Sequence, residues 1–158
     1  FMLHSLLEGE DGWCLHQPMR EHSPETRSLL DVLISLAKEL AGEVLPDGDV
    51  VHGDLHHRNL LQQDGSLTGI VDIDQCVDGD RCFDLVTLAF CLVKAETPPG
   101  LEERLWRHVE ADCPQPARLL YTAHMSLRLV SWAITHHPDK VAFWLDRAQE
   151  FLAKNEAG

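Results

Sequence analysis

Residues 50–74, VVHGDLHHRNLLQQDGSLTGIVDID, set three histidines, one arginine, one asparagine and four aspartates between short apolar runs. Crowding such groups is costly unless each finds a partner for the charge or hydrogen bond it brings out of water. Three occupants suit the set: a metal ion, a phosphate, or plain solvent around loop and turn residues. A directly bound metal would draw on His52, Asp54, His56 and His57, because H-x-D-x-H-H keeps imidazoles and a carboxylate close together. A metallo-hydrolase of that kind would instead show H-x-H-x-D-H and further ligands at later strand ends, whereas His108 and His124 fall in helical sequence. A phosphate handled through Mg²⁺ needs less from the protein. One amide and one or two carboxylates hold the ion, and another carboxylate orients and deprotonates the attacking hydroxyl.

The surrounding elements must bring these residues to one place. Val50-Val51, Leu60-Leu61 and Leu67–Ile73 are short apolar runs, and Asp64-Gly65 between the last two is a strong hairpin-turn signal. Residues 52–59 are then a loop between short strands, with Asp72 at the exit of the next strand. Upstream, Ser23 is an N-cap, Pro24 the first helical residue and Glu25 a first-turn acid. Leu29, Leu33, Leu36 and Leu40 follow at helical spacing, with Gly42 as the stop. Downstream, Asp80 can cap a helix through DLVTLAFCLVKAE, ended by Pro98-Pro99-Gly100. Helical patterns near 101–111, 116–135 and 138–154 come next, broken by Pro114, Pro116 and the HHPD stretch at 136–139. The expected fold is mainly α with one small β-hairpin, as a single domain over 1–158.

His52-Gly53-Asp54, Asn59 five positions on from Asp54, and Asp72 thirteen beyond that, match the kinase pattern of H-x-D-x4-N followed by an aspartate after a hairpin strand. HGDLHHRNLL resembles the catalytic loop of the aminoglycoside phosphotransferase, or phosphotransferase enzyme, family, relatives of choline kinase and protein kinases. GIVDID resembles the family's metal-binding strand, and GDRCFDLVTLAF its G-D-x-x-x-D-L segment. The resemblance implies the C-terminal helical lobe of a kinase-like (α+β) fold, with catalytic loop 50–61 and metal-binding strand and following segment 67–84. It implies Asp54 as catalytic base, Asn59 and Asp72 as ligands of Mg²⁺ and thereby of the nucleotide, and Asp74 as a helper. His52 and Asp84 are implied to brace the loop. It further implies ATP or GTP as donor and, as acceptor, a hydroxyl on a small cationic molecule such as an aminoglycoside or tuberactinomycin antibiotic. HHRN, FDLVTLAF and LRLVSWAITHH look nearest the viomycin and capreomycin phosphotransferases, although Ser131 replaces the aspartate that often precedes the tryptophan matching Trp132. His56, Asp78, Asp80, Arg128 and Trp132 are candidate substrate contacts.

The chain lacks a G-x-G-x-x-G loop and a strand lysine of the V-A-I-K kind; Lys38, Lys94, Lys140 and Lys154 all sit in helical contexts. The nucleotide-covering N-terminal lobe is therefore expected in cis or on a separate chain, and the segment alone should be inactive. A non-catalytic substrate-binding or docking lobe is the alternative from another class. His56 and His57 can equally serve packing and hydrogen bonding within the loop, Asp78 and Asp80 turns and caps, and Trp106, Trp132 and Trp144 core or cleft wall.

The bulk composition narrows the field. A formal charge of −13, from 13 Lys and Arg against 26 Asp and Glu, leaves no excess cation to neutralise phosphates, which excludes nucleic acid as a partner. The same field attracts a polycation. No apolar run is long enough to cross a bilayer, and FMLHSLLEGEDGW lacks the basic and apolar regions of a secretory signal. Five cysteines without a C-x-x-C fit reduced thiols in the cytoplasm.

Overall fold

The structure, a computed structural model, describes residues 2–43, 47–93 and 97–156. In chain order the elements are α1 (Met2–Glu8), β1 (Glu10–Asp11), β2 (Cys14–Leu15), α2 (His16–His22), α3 (Pro24–Glu39), β3 (Asp49–Val51), β4 (Leu60–Gln63), β5 (Ser66–Ile70), β6 (Val77–Gly79), α4 (Cys82–Phe90), α5 (Leu101–Asp112), α6 (Gln115–His136) and α7 (Val141–Glu156). Three strand pairs, β1–β2, β3–β6 and β4–β5, are each two-stranded ribbons. The mainly helical architecture is the one the sequence predicts, but three ribbons stand where it predicts a single hairpin, β4–β5. Among the described residues, no helix is long and apolar enough to cross a membrane. The chain divides into two compact units, residues 1–43 with 119–158, and residues 44–118.

In the first unit, α3 begins as its sequence predicts. The Ser23 hydroxyl accepts from the Thr26 backbone N–H at 3.2 Å, and the Thr26 hydroxyl accepts from the Ser23 N–H at 3.1 Å. This reciprocal capping box satisfies two donors that a helix start leaves unpaired. Thr26 also donates to the Met19 carbonyl at 2.7 Å, tying α3 to α2. The apolar stripe Leu29, Leu30, Leu33 and Ala37 is buried, and α3 packs against α1 and α2. The helix closes at Leu40 in right-handed geometry, so Gly42 supplies no left-handed stop. Polar residues buried among the α6 and α7 side chains mostly bond one turn back. Ser126 donates to the Thr122 carbonyl at 2.7 Å, and Asn155 to the Phe151 carbonyl at 2.8 Å. His124 is buried beside Cys14, whose Sγ lies 3.9 Å from the ring nitrogens. Burial, and then the charge of Arg128, push the His124 pKa down to about 3.

In the second unit, β4 and β5 form the expected hairpin, with Gln63 opposite Ser66 and a bulge between Leu61 and Gln62. Asp64 and Gly65 have φ of 51° and 77°, the double left-handed turn that matches the twist of a two-residue hairpin. The antiparallel β3–β6 ribbon pairs Asp49 with Gly79, Val50 with Asp78 and Val51 with Val77. Helix α4 packs against α5 and buries Phe83, Val86 and Phe90. It is shorter than the pattern through DLVTLAFCLVKAE suggests, ending at Phe90 with Cys91 as cap; residues 94–96 of that pattern lie outside the described residues. Asp80 caps from just outside: its carboxylate accepts from the Cys82 N–H at 2.9 Å.

Candidate active site

The cluster begins where β3 delivers the chain out of the core. Val51 is buried, and the next two residues turn their backbone N–H groups onto a single side chain. Asp84, in the first turn of α4, accepts from the His52 N–H at 2.7 Å and from the Gly53 N–H at 3.1 Å, one to each carboxylate oxygen. Charge-assisted bonds of this kind are among the stronger ones a loop can have. Gly53 has φ +83°, and a Cβ there would stand 2.8 Å from the Gln75 carbonyl oxygen. Only glycine permits that approach, which brings the loop after β3 against the turn after β5.

His52 forms the second link. Its Nε2 lies 2.9 Å from the Val71 carbonyl, which can only accept, and its Nδ1 lies 3.3 Å from the Asp54 backbone N–H, which can only donate. These partners fix the neutral Nε2–H tautomer and occupy both ring nitrogens. The third link is Asn59, a buried residue ending a 3₁₀ turn over His57–Asn59. Its backbone carbonyl accepts from the Val71 N–H at 3.0 Å, while its Nδ2 donates to the Asp54 carbonyl at 3.0 Å. The Val71 peptide is thus gripped on both sides, by Asn59 at its nitrogen and His52 at its carbonyl.

Asp72 follows directly, with φ 66° and ψ 50°, as the cap of a second 3₁₀ turn over Ile73–Gln75. Left-handed backbone at an aspartate is uncommon and costs energy; such strain collects at functional sites. Here it directly follows the clamped Val71. Asp72 and Asp74 are both exposed, whereas Asp54 is partly covered, its Oδ2 lying 3.6 Å from His56 Nε2.

The residues at positions 52, 53, 54, 56, 59, 71, 72 and 84 therefore belong to one constellation in the second unit. Other candidates lie outside it. Asp78 is exposed on β6 opposite Val50, and Asp80 is committed to the start of α4. Arg128 and Trp132 lie on α6 in the other unit, where the Trp132 ring packs against His136 and His137 at centroid distances of 5.9 and 4.7 Å. Two participants carry no obvious signal: Gly53, a single glycine before an aspartate, and Val71, which acts through its peptide alone.

A direct metal site built on His52, Asp54, His56 and His57 does not fit, because both nitrogens of His52 are taken by backbone groups. Among the described residues, no group of three or more His, Cys, Asp or Glu is arranged to hold a metal ion. Magnesium asks for something different. Asn59 Nδ2 donates to the Asp54 carbonyl, which leaves Oδ1 as the amide's ligand atom, and the Asn59 backbone carbonyl bonds to the residue just before the strained Asp72. An amide oxygen and one or two carboxylates suit an ion that takes its remaining ligands from phosphate and water.

Comparison with known proteins agrees with this arrangement. The chain matches the model of the phosphotransferase enzyme family over residues 5–120. An aminoglycoside 3'-phosphotransferase of Salmonella typhimurium is 36% identical over 77 residues, covering 49% of this chain and 28% of that protein. One from Escherichia coli is 36% identical over 76 residues, covering 48% and 27%, and another is 42% identical over 60 residues, covering 38% and 21%. The alignments thus span less than a third of these curated relatives' own length. No solved structure matches the chain. With its clamped loop, its strained aspartate and a family match over most of its length, the chain belongs to the phosphotransferase enzyme family.

Proposed function

We propose that the protein carrying this chain transfers the γ-phosphoryl group of ATP, or of GTP, to a hydroxyl of a small cationic acceptor, an aminoglycoside or tuberactinomycin antibiotic being the leading class. The observation that carries this reading is the double hold on the Val71 peptide by Asn59 and His52. It supports a shared site for Asn59 and Asp72, because it joins the backbone before Asp72 to the loop that bears Asn59 and Asp54.

In this reading Asp54 accepts the proton of the attacking hydroxyl and fixes its direction. Asn59 and Asp72, helped by Asp74, would hold Mg²⁺. That ion, when bound, neutralises charge on the transferring phosphates. Asp84 and His52 act on the backbone and keep the loop in one conformation. Most of the catalysis is placement and charge compensation, since phosphoryl transfer asks for little covalent chemistry from the protein. The chain works as a helical lobe, and a nucleotide-covering lobe, in cis or on a separate chain, completes the site. The net charge of −13 draws polycations toward the surface, an effect that salt weakens.

The test is a panel of cationic antibiotics and small alcohols incubated with the intact protein, each assayed for nucleotide consumption and a phosphorylated product. Phosphorylation of at least one member supports the reading. Binding of an antibiotic with no turnover under any nucleotide and Mg²⁺ condition would replace it with the non-catalytic docking lobe.

A further inference from the structure

We infer that His56 is a positioning residue for Asp54: its imidazole steers one oxygen of the carboxylate so that the other meets the acceptor hydroxyl. The inference rests on the phosphotransferase reading above and adds a residue whose role is distinct from the loop braces.

Three observations carry it. His56 Nε2 stands 3.6 Å from Asp54 Oδ2, with both side chains about three-quarters covered, at 27% and 28% exposure. That separation is too long for a hydrogen bond at rest but within ion-pair reach. Catalytic contacts of this kind commonly tighten once substrate arrives. The backbone under the ring is fixed: His56 is extended, at φ −125° and ψ 166°, and its carbonyl accepts from the Asn59 N–H at 2.9 Å. The ring is thus delivered to the carboxylate by the same turn that presents Asn59.

The third observation is what the ring does not do. His56 Nδ1 is buried and makes no hydrogen bond. His52, two residues before Asp54, spends both nitrogens on backbone groups, as a structural histidine should. Unlike His52, the His56 ring is therefore not anchored to a backbone group, and its Nε2 faces the Asp54 carboxylate instead. Holding one carboxylate oxygen also restricts the rotation of Asp54 about its side-chain bonds, which shortens the search for a reactive geometry.

The experiment is a kinetic comparison in the intact protein with the acceptor identified from the panel. His56→Ala should lower kcat by about 10- to 100-fold while leaving KM for acceptor and nucleotide near the parent values. His56→Gln, whose amide donor can reach the place of Nε2, should recover most of that loss, which a packing role would not produce. The double variant Asp54→Ala/His56→Ala should be no slower than Asp54→Ala alone, because a steering group has nothing left to steer. Melting temperatures of the variants confirm that folded proteins are being compared.

A kcat for His56→Ala within about twofold of the parent would overturn the inference. So would a change confined to KM, a Gln variant as slow as the Ala variant, or additive losses in the double variant. A parent protein inactive on every acceptor would overturn the phosphotransferase reading and this inference together. An active parent with an indifferent His56 overturns this inference alone.

Discussion

The loop region around residues 52–76 and the helical region of α6 and α7 both hold polar side chains out of water, yet they do so in opposite ways. In the helices the bonds are mainly local: Ser126 to Thr122 and Asn155 to Phe151 each span one turn. Such bonds satisfy a polar atom within a structure that the apolar stripe already specifies. Around the loop the bonds reach across the chain, from Asp84 to residues 52 and 53 and from His52 to Val71. No helix or ladder requires these contacts. They fix a shape that the backbone would not adopt unaided, including the left-handed Asp72. Long-range bonds occur among the helices too, from the Leu15 N–H to Ser131 Oγ at 3.3 Å and from Asn155 to Thr122 Oγ1 at 3.2 Å, but there they join elements with regular backbone, whereas around the loop they set the backbone's path.

The two histidine environments make the same point. His124 is enclosed by the helices and kept neutral by burial. His52 is neutral because its two partners demand one donor and one acceptor. The first is tolerated by the fold, and the second is used by it.

The contrast can be broken most sharply at the carboxylate proposed to accept the proton, Asp54. Asp54→Ala in the intact protein should cut turnover by about 100- to 10,000-fold with little change in melting temperature, as steady-state kinetics beside a thermal scan will show. A large drop in melting temperature with preserved turnover would make Asp54 one more structural polar group. Next comes the long-range clamp. Asp84→Ala removes the charged acceptor of two backbone N–H groups and should destabilise the chain by about 2–4 kcal/mol in urea unfolding.

The helical region answers to pH instead. Burial pushes the folded His124 pKa down to about 3 from the ordinary imidazole value of 6.5, so between those values the unfolded chain binds more protons. Its contribution to stability is therefore intact above about pH 6.5 and declines as pH falls toward 3, by about 1.4 kcal/mol per unit. Urea midpoints measured from pH 7 to 4 should show that slope, and His124→Leu should flatten it. The smallest effect belongs to the capping box: Ser23→Ala should cost about 1 kcal/mol, read from the same denaturation curves.

The sequence announces those parts of the molecule whose signals are local. The start of α3 follows from Ser23 and Pro24, the β4–β5 hairpin from Asp64-Gly65, and α5 to α7 from apolar periodicity and proline breaks. The candidate site residues are legible for a similar reason, because the H-x-D-x4-N pattern packs them into a few positions of fixed spacing. What stays hidden is short or non-local. The strands β1 and β2 have two residues each and present no period to detect. The helices α1 and α2 have seven residues each, too few for a repeating stripe. The β3–β6 ribbon pairs residues nearly thirty positions apart, and nothing at Val77 or Gly79 names Val51 or Asp49 as the partner. Gly53 is visible as a glycine, but its necessity appears only once the Gln75 carbonyl is seen against it.

The hold on the Val71 peptide has a practical consequence for solution work. Val71 is an exposed residue outside any strand or helix, where an amide proton ordinarily trades with solvent almost at once. Pinned to Asn59, that proton should instead persist for as long as the loop stays shut. Its lifetime in deuterated water turns one surface amide into a clock for the opening of the whole constellation, readable before any acceptor has been found.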